Sequence, residues 1–258
     1  MRESLDFFYN NELSSDMGLI NINLEGGLYK ERLFGTRELL EEIIRGRTKP
    51  YFQEVGLKPM EFTLAFALTQ QYDYDYLRRL NRWLNVDYYK EFYFIDLPQY
   101  RFFVMPISDN FLTHNGLNQG YLELTMRTND AFAYSQEYLS EDYDLSDNPV
   151  EGTIIPINND GDVPLEIEMW IKKVEDGEIT IINLSDENRE FRVVNLKDGE
   201  HLYLNHEKED IKSNVPNLYH FEDVLTDYMK LPMGENQLKI YGKCTIQFRY
   251  RYKYLLGL

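Results

Sequence analysis

Cysteine is all but absent from this chain of 258 residues: Cys244 stands alone between Lys243 and Thr245. No intramolecular disulfide can form, and in its strand-like run Cys244 reads as a small buried hydrophobe. Long apolar runs are missing as well. No stretch reaches the roughly 18 apolar residues of a membrane span, and the N-terminus, MRESLDFFYNN, carries acids where a signal peptide needs an apolar region. The expectation is a protein that folds in a cytoplasm without membrane insertion. Basic residues are outnumbered, with 27 Lys and Arg against 44 Asp and Glu and a formal charge of −17. A surface that negative repels phosphate and argues against sequence-specific nucleic-acid binding. It suits a wall past which DNA slides without sticking. Catalytic motifs are also missing: no GxSxG, P-loop, GxGxxG, HExxH or CxxC occurs.

What the chain does have is aromatic side chains, 15% of residues with 21 Tyr and 15 Phe. Both types favour sheets and interfaces, so the chain folds rather than remaining a disordered tail. Its length allows one large core or two ordinary ones.

The most informative stretch runs from Gly46 to Asp96. Met60, Phe62, Leu64, Phe66 and Leu68 alternate with Glu61, Thr63, Ala65 and Ala67, the period of a strand with one buried face. A helix near 73–85 follows, with Asp73 or Asp75 as N-cap. Leu77, Leu80 and Leu84 lie on its inner face, flanked by Tyr76 and Trp83, and Arg78, Arg79 and Arg82 on the wet one. A return strand from Phe92 to Asp96 ends before Pro98.

Around this unit, residues 5–10 and 19–24 read as a hairpin turned at Ser14–Gly18. Residues 25–36, Gly-rich and mixed, read as a mobile arm. Residues 37–45, RELLEEIIR, fit either a helix or a strand. Tyr100 to Ile107 is a strand that Pro106 should end, residues 109–119 are a loop, and Gly120 to Asn129 alternates as a half-buried strand. Five acids between Glu137 and Pro149 suggest a solvated linker, which gives domains 1–149 and 150–258. That linker makes a poor calcium loop, lacking the turn Gly and the twelfth-position Glu. The second half carries seven short strands separated by turn signals such as Asn158-Asn159-Asp160-Gly161 and Asp198-Gly199, the rhythm of an antiparallel sandwich. FEDVLTDYM (221–229) is a helix candidate within it. In the last run Ile246, Phe248, Tyr250, Tyr252 and Tyr254 share one face, with Arg249, Arg251 and Lys253 outside. The fold class is thus mainly β with one helix in the first domain.

Candidate chemistry is sparse. His201 and His206 near Glu207, Glu209 and Asp210 could form a metal cluster, but five residues apart on a strand they point to opposite faces, which favours loop side chains without a metal. Glu166 and Glu168 beside Trp170 form the one arrangement like a sugar-binding shelf. Abundant carboxylates leave a glycoside hydrolase as a weaker reading. Arg45, Arg47 and Lys49 are the one basic knot of the first half, and they suggest ion pairs between subunits.

The order Gly46-Arg47, Pro50-Tyr51-Phe52, Pro59-Met60-Glu61-Phe62, Arg82-Trp83-Leu84 and Asp96-Leu97-Pro98 resembles the distal tail protein (Dit) family of long-tailed, siphovirus-type bacteriophages. The second half adds Asn158-Asn159-Asp160-Gly161 before Pro164, Gly177 to Asn183, Leu196 to Glu200, and Leu231-Pro232-Met233-Gly234-Glu235-Asn236. The resemblance implies a tail-tube-type, β-sandwich-like first domain that assembles into a hexameric ring, followed by a galectin-like or carbohydrate-module-like sandwich. It implies a strand at 37–45 and an arm at 25–36 that reaches the next subunit, with Leu28, Tyr29, Leu33, Phe34, Arg45 and Arg47 as interface residues. Implied partners are further copies of the chain, the tail tube protein, the tail-tip hub or tail-associated lysin, and receptor-binding or baseplate proteins. DNA would pass through the ring unbound. No enzymatic site or cofactor is implied, and the location would be the virion's tail tip after assembly in the host cytoplasm. The reading that competes is a host-surface carbohydrate-binding protein using Glu166, Glu168 and Trp170.

Overall fold

The computed structural model describes residues 4–24, 26 and 32–257. The chain forms two compact units: Met1–Ser135 with Tyr254–Leu258, and Gln136–Lys253. The second is therefore inserted before the chain's last few residues, which return to the first. The acidic stretch 137–149, expected as a linker, lies within the second unit. Tyr138, Leu139, Tyr143 and Leu145 are interspersed among its acids, and all four pair with the strand that begins at Cys244.

In the first unit, β1 (Phe7–Tyr9), β2 (Glu12–Leu13) and β3 (Leu19–Ile22) precede β4 (Thr36–Glu42), β5 (Tyr51–Lys58) and β6 (Glu61–Leu68). Helix α1 (Tyr74–Leu84), β7 (Lys90–Phe94), β8 (Phe102–His114), β9 (Gly120–Thr128) and β10 (Ala133–Tyr134) follow. Seven strands make one antiparallel sheet in the order β2-β1-β7-β8-β9-β6-β3. The sandwich-like layer is this single sheet curled until its two ends meet, where the Asn21 N–H donates to the Leu5 carbonyl at 2.8 Å. The expected hairpin of residues 5–10 with 19–24 is thus replaced by a seam: β1 pairs with β2 and β7, and β3 with β6. Asn21 is buried there, its amide donating to the Ser4 carbonyl. A satisfied polar side chain can face inward.

Inside the curl, Phe7, Phe66, Phe92, Phe94 and Phe102 are almost fully buried. The Phe7 ring stacks on Phe66 at 4.4 Å and lies 5.5 Å from Phe92. Helix α1 closes one end. Asp73 caps it by accepting from the Tyr76 N–H, and Tyr76, Leu80, Trp83 and Leu84 are buried, with Leu77 at the margin. The Trp83 indole donates to the Tyr9 carbonyl at 2.9 Å, tying the helix to the sheet.

Pro106 does not end its strand, and residues 109–114, expected in a loop, continue β8. Strand β7 covers β8 only from Phe102 to Val104. The Phe103 carbonyl faces β9, where it accepts from Asn129. By alternation Pro106 turns its missing N–H to the uncovered side, where no ladder bond is lost. A bulge between Ile107 and Phe111 follows.

The second unit contains β11 (Tyr138–Leu139), β12 (Tyr143–Leu145), β13 (Thr153–Asn159), β14 (Leu165–Glu166), β15 (Glu168–Lys173) and β16 (Gly177–Asn183). It continues with β17 (Arg189–Leu196), β18 (His201–Asn205), β19 (Asp210–Ser213), β20 (Lys230–Leu231), β21 (Gly234–Tyr241) and β22 (Cys244–Tyr250). Two antiparallel sheets, β11-β22-β15-β18-β19 and β13-β21-β16-β17, build the sandwich. Met169, Ile171, Leu204, Ile246 and Phe248 of one, with Ile179, Ile181, Phe191, Val193, Leu238 and Ile240 of the other, are its buried residues. Cys244 belongs to this core, and burial pushes its thiol up to about 11, an inert state.

The segment 221–229 is not the expected helix. Asp223 accepts from Asn195 and from His220, Thr226 accepts from the Arg192 N–H, and Val224 bridges to Val193, so the chain seals the edge of β17 instead. His220 meets two carboxylates, Glu200 at 2.7 Å and Asp223 at 2.8 Å, and Ser213 also donates to Glu200 at 2.5 Å. His201 and His206 do not converge on a metal. His201 is exposed, whereas His206 is buried beside Phe191 and Tyr228, its Nδ1 accepting from the Met229 N–H at 2.8 Å. Burial lowers the His206 pKa from 6.5 to about 4.

Two outcomes follow from these cores. Trp83→Ala removes both packing and the bond to Tyr9, and should cost about 3–5 kcal/mol in urea unfolding of the first unit. For His206 the unfolded chain binds a proton between pH 6.5 and 4 and the fold does not. Stability is therefore full above about 6.5 and falls by up to about 3 kcal/mol as pH drops toward 4. The stability gap between the native protein and His206→Gln should shrink across that window.

Candidate assembly surface

Among the described residues, strands β4 and β5 pair only with each other, from Thr36 opposite Lys58 to Glu42 opposite Tyr51, with one bulge after Leu40. Almost every residue of both is exposed. Leu39 is 61% exposed, Ile43 80% and Phe52 60%, and Leu40, Ile44, Tyr51 and Leu57 are exposed too. A lone two-stranded ribbon is marginal in water and has no face to hide these side chains. It does have local supports. Lys58 pairs with Glu38 at 2.6 Å, and the Arg47 guanidinium sits 5.0 Å from the Tyr51 ring while also donating to its hydroxyl. Gly46, at φ 89°, makes the turn at the tip.

The root is held firmly. Arg32 donates to Thr36 Oγ1 at 2.8 Å and to the Glu61 carbonyl at 2.9 Å, and the Gly257 N–H donates to the Leu33 carbonyl at 3.3 Å. At Gly35 a Cβ would fall 2.5 Å from the Ala131 carbonyl oxygen, so only glycine permits this approach. Leu33 (79% exposed) and Phe34 stand beside that root, and Arg45 and Arg47 sit at the tip. Leu28 and Tyr29 lie outside the described residues, as does half of the arm expected at 25–36. The projecting element that is described is the hairpin of 36–58. Its second strand went unread in the sequence, since the adjacent pair Tyr51-Phe52 breaks the alternation of a one-faced strand.

Glu166, Glu168 and Trp170 do share a face of the second unit, alternating with buried Ile167, Met169 and Ile171. Both carboxylates and the Trp170 ring already have partners. The Arg249 guanidinium lies 4.6 Å from the Trp170 ring and pairs with Glu168, which also accepts from the Tyr203 hydroxyl at 2.7 Å. Glu166 is held by Lys253 at 3.0 Å and Lys230 at 3.3 Å. Burial alone would raise the Glu166 pKa, but these two ammonium groups outweigh it and the net shift is downward. Lys253, only 14% exposed, pairs with Glu207 as well, so the outer basic row expected on the last strand is a row of ion pairs. No group of three or more metal-ligating side chains occurs among the described residues, and no helix among them is long and apolar enough to cross a membrane.

Comparison with known proteins covers both units. A family profile described as "Phage tail protein N-terminal domain" matches residues 2–130, and one described as "Phage tail C-terminal domain" matches residues 132–250. The SPbeta prophage-derived uncharacterized protein YomH of Bacillus subtilis strain 168 is 35% identical over 255 residues, 99% of this chain and 100% of that protein. Among solved structures, the Dit protein (gp 19.1) of phage SPP1, described as a paradigm of the hub adsorption apparatus in phages infecting Gram-positive hosts, superposes with a TM-score of 0.68 at 16% identity. That match covers 96% of this chain and 98% of the other. A chain of the phage P2 baseplate in its activated, calcium-bound conformation gives 0.56 at 9% identity, with the same coverage. At these identities the structural likeness establishes the fold.

If Arg249 shields Trp170, Arg249→Ala should make tryptophan fluorescence more quenchable by acrylamide and shift it to the red, because Trp83 stays buried in both proteins. Unchanged quenching would mean that the ring is open already.

Proposed function

This chain belongs to the phage tail protein family whose N-terminal and C-terminal domains it carries in order, and on that premise we propose that it is a structural ring subunit of a phage tail tip or baseplate. In this reading six copies close into a collar that joins the tail tube to the tail-tip hub or tail-associated lysin, and the genome passes through the middle. The chain is assembled in the host cytoplasm and acts in the virion as scaffolding, without catalysis.

The uncovered hairpin of β4 and β5 carries this reading. Seven large apolar side chains on one ribbon, Leu39, Leu40, Ile43, Ile44, Tyr51, Phe52 and Leu57, are costly to keep in water and need a protein surface to cover them. The charge of −17 supports the lumen, since anionic walls repel the DNA backbone. The second unit supports a docking role for receptor-binding or baseplate proteins through Tyr219 and Phe221, 73% and 62% exposed with parallel rings. The ion pairs that hold Glu166 and Glu168, and the guanidinium beside Trp170, weigh against the sugar-binding alternative on that face.

The test is assembly. The purified chain should elute as a closed oligomer by light scattering and show rings with a central hole in negative stain. Replacing Ile43–Pro50 by a two-residue Asn-Gly turn should leave a folded monomer. A native chain that stays monomeric when concentrated would defeat the proposal.

A further inference from the structure

Next to the bulge in β8, the first unit has a cleft of about 630 Å³ between that strand and the C-terminal half of α1. Its apolar floor includes Leu77, Leu84, Val86 and Ile107, and the exposed Phe111 lines it on the solvent side. Two features keep it open. The bulge throws Ser108 to Asn110 outward, with Ser108 at φ 60°, and the pairing of β7 with β8 ends at Val104, so the edge of β8 beyond Val104 has no strand partner among the described residues. The rim accepts hydrogen bonds: Asp109 lies on it, as do the Asn81 and Asn85 side chains at the C-terminal end of the helix, the negative end of its dipole.

We infer that this cleft receives the tip of the β4–β5 hairpin from a second copy of the chain, a contact that rests on the ring reading above and gives it a specific junction. The two surfaces complement each other. The tip offers Ile43 and Ile44 to the apolar floor, and Arg45 and Lys49, which make no ion pair among the described residues, to Asp109 and the helix end. The hairpin has the reach: eight residues of β5 span roughly 25 Å at about 3.3 Å each, and the side chains along both strands are largely free of the unit they spring from. Tip and cleft are different surfaces of one chain. Their contact is head-to-tail, and such contacts propagate until a rotation closes them into a ring.

Cysteine cross-linking tests the junction, since the one native cysteine, Cys244, is buried and does not compete. Full-length Ile43→Cys and full-length Phe111→Cys are each exposed-site changes that spare the cores. Mixed before assembly and oxidised, they should give disulfide dimers between the two variants, lost on reduction, and few within either one. The double variant should lose its monomer band to a ladder that ends at the ring's copy number. Rings seen by microscopy without the mixed disulfide, or with cross-links within one variant instead, would overturn this junction and leave the ring reading standing. A native chain that forms no rings would overturn both.

Discussion

Two strands paired only with each other have no interior, and this constraint governs the rest of the molecule. Any apolar side chain on the β4–β5 ribbon is in water until another surface arrives. Burying one large aliphatic or aromatic side chain contributes about 1.5–3 kcal/mol, so seven of them on one ribbon are a large unspent driving force for association. Much of that would be offset by lost freedom on docking, which is why a held root matters. Arg32, Gly35 and the contact from Gly257 fix the base of the ribbon before any partner is met.

The curled sheet beneath supplies the stiffness. A phenylalanine cluster around Phe7 fills it, and Trp83 locks the helix across its mouth with a bond to Tyr9. Interiors packed in this way transmit strain rather than absorb it. The root of the ribbon and the cleft beside α1 are therefore presented in fixed places. Exposed apolar elements held on a firm base suit an assembly component.

How much of this could be read beforehand depended on how many environments each element faces. Glu61–Leu68 was legible because one face is core and the other water, so Phe62, Leu64 and Phe66 alternate faithfully. The helix was legible through Asp73, whose capping bond is local. Where bonds are long-range, local pattern misled. Val224 and Tyr228 have helical spacing, yet Asp223 and Thr226 are claimed by β17. Ile43 and Ile44 looked like a helix face because a wet ribbon imposes no period at all. The candidate sugar face was correctly placed on one side of its strand, but its occupation by Arg249, about 80 residues later in the chain, was invisible locally.

The insertion of the second unit before the final residues gives the molecule a topological property. That unit is tethered at both of its ends, at Gln136 and at Lys253, to a body whose closing residues bond Leu33 at the ribbon's root. A single nick at either tether cannot release it. Exchanging it for a different lobe would require two matched splice points, and an evolutionary swap that respected both would leave the collar-forming half unaltered.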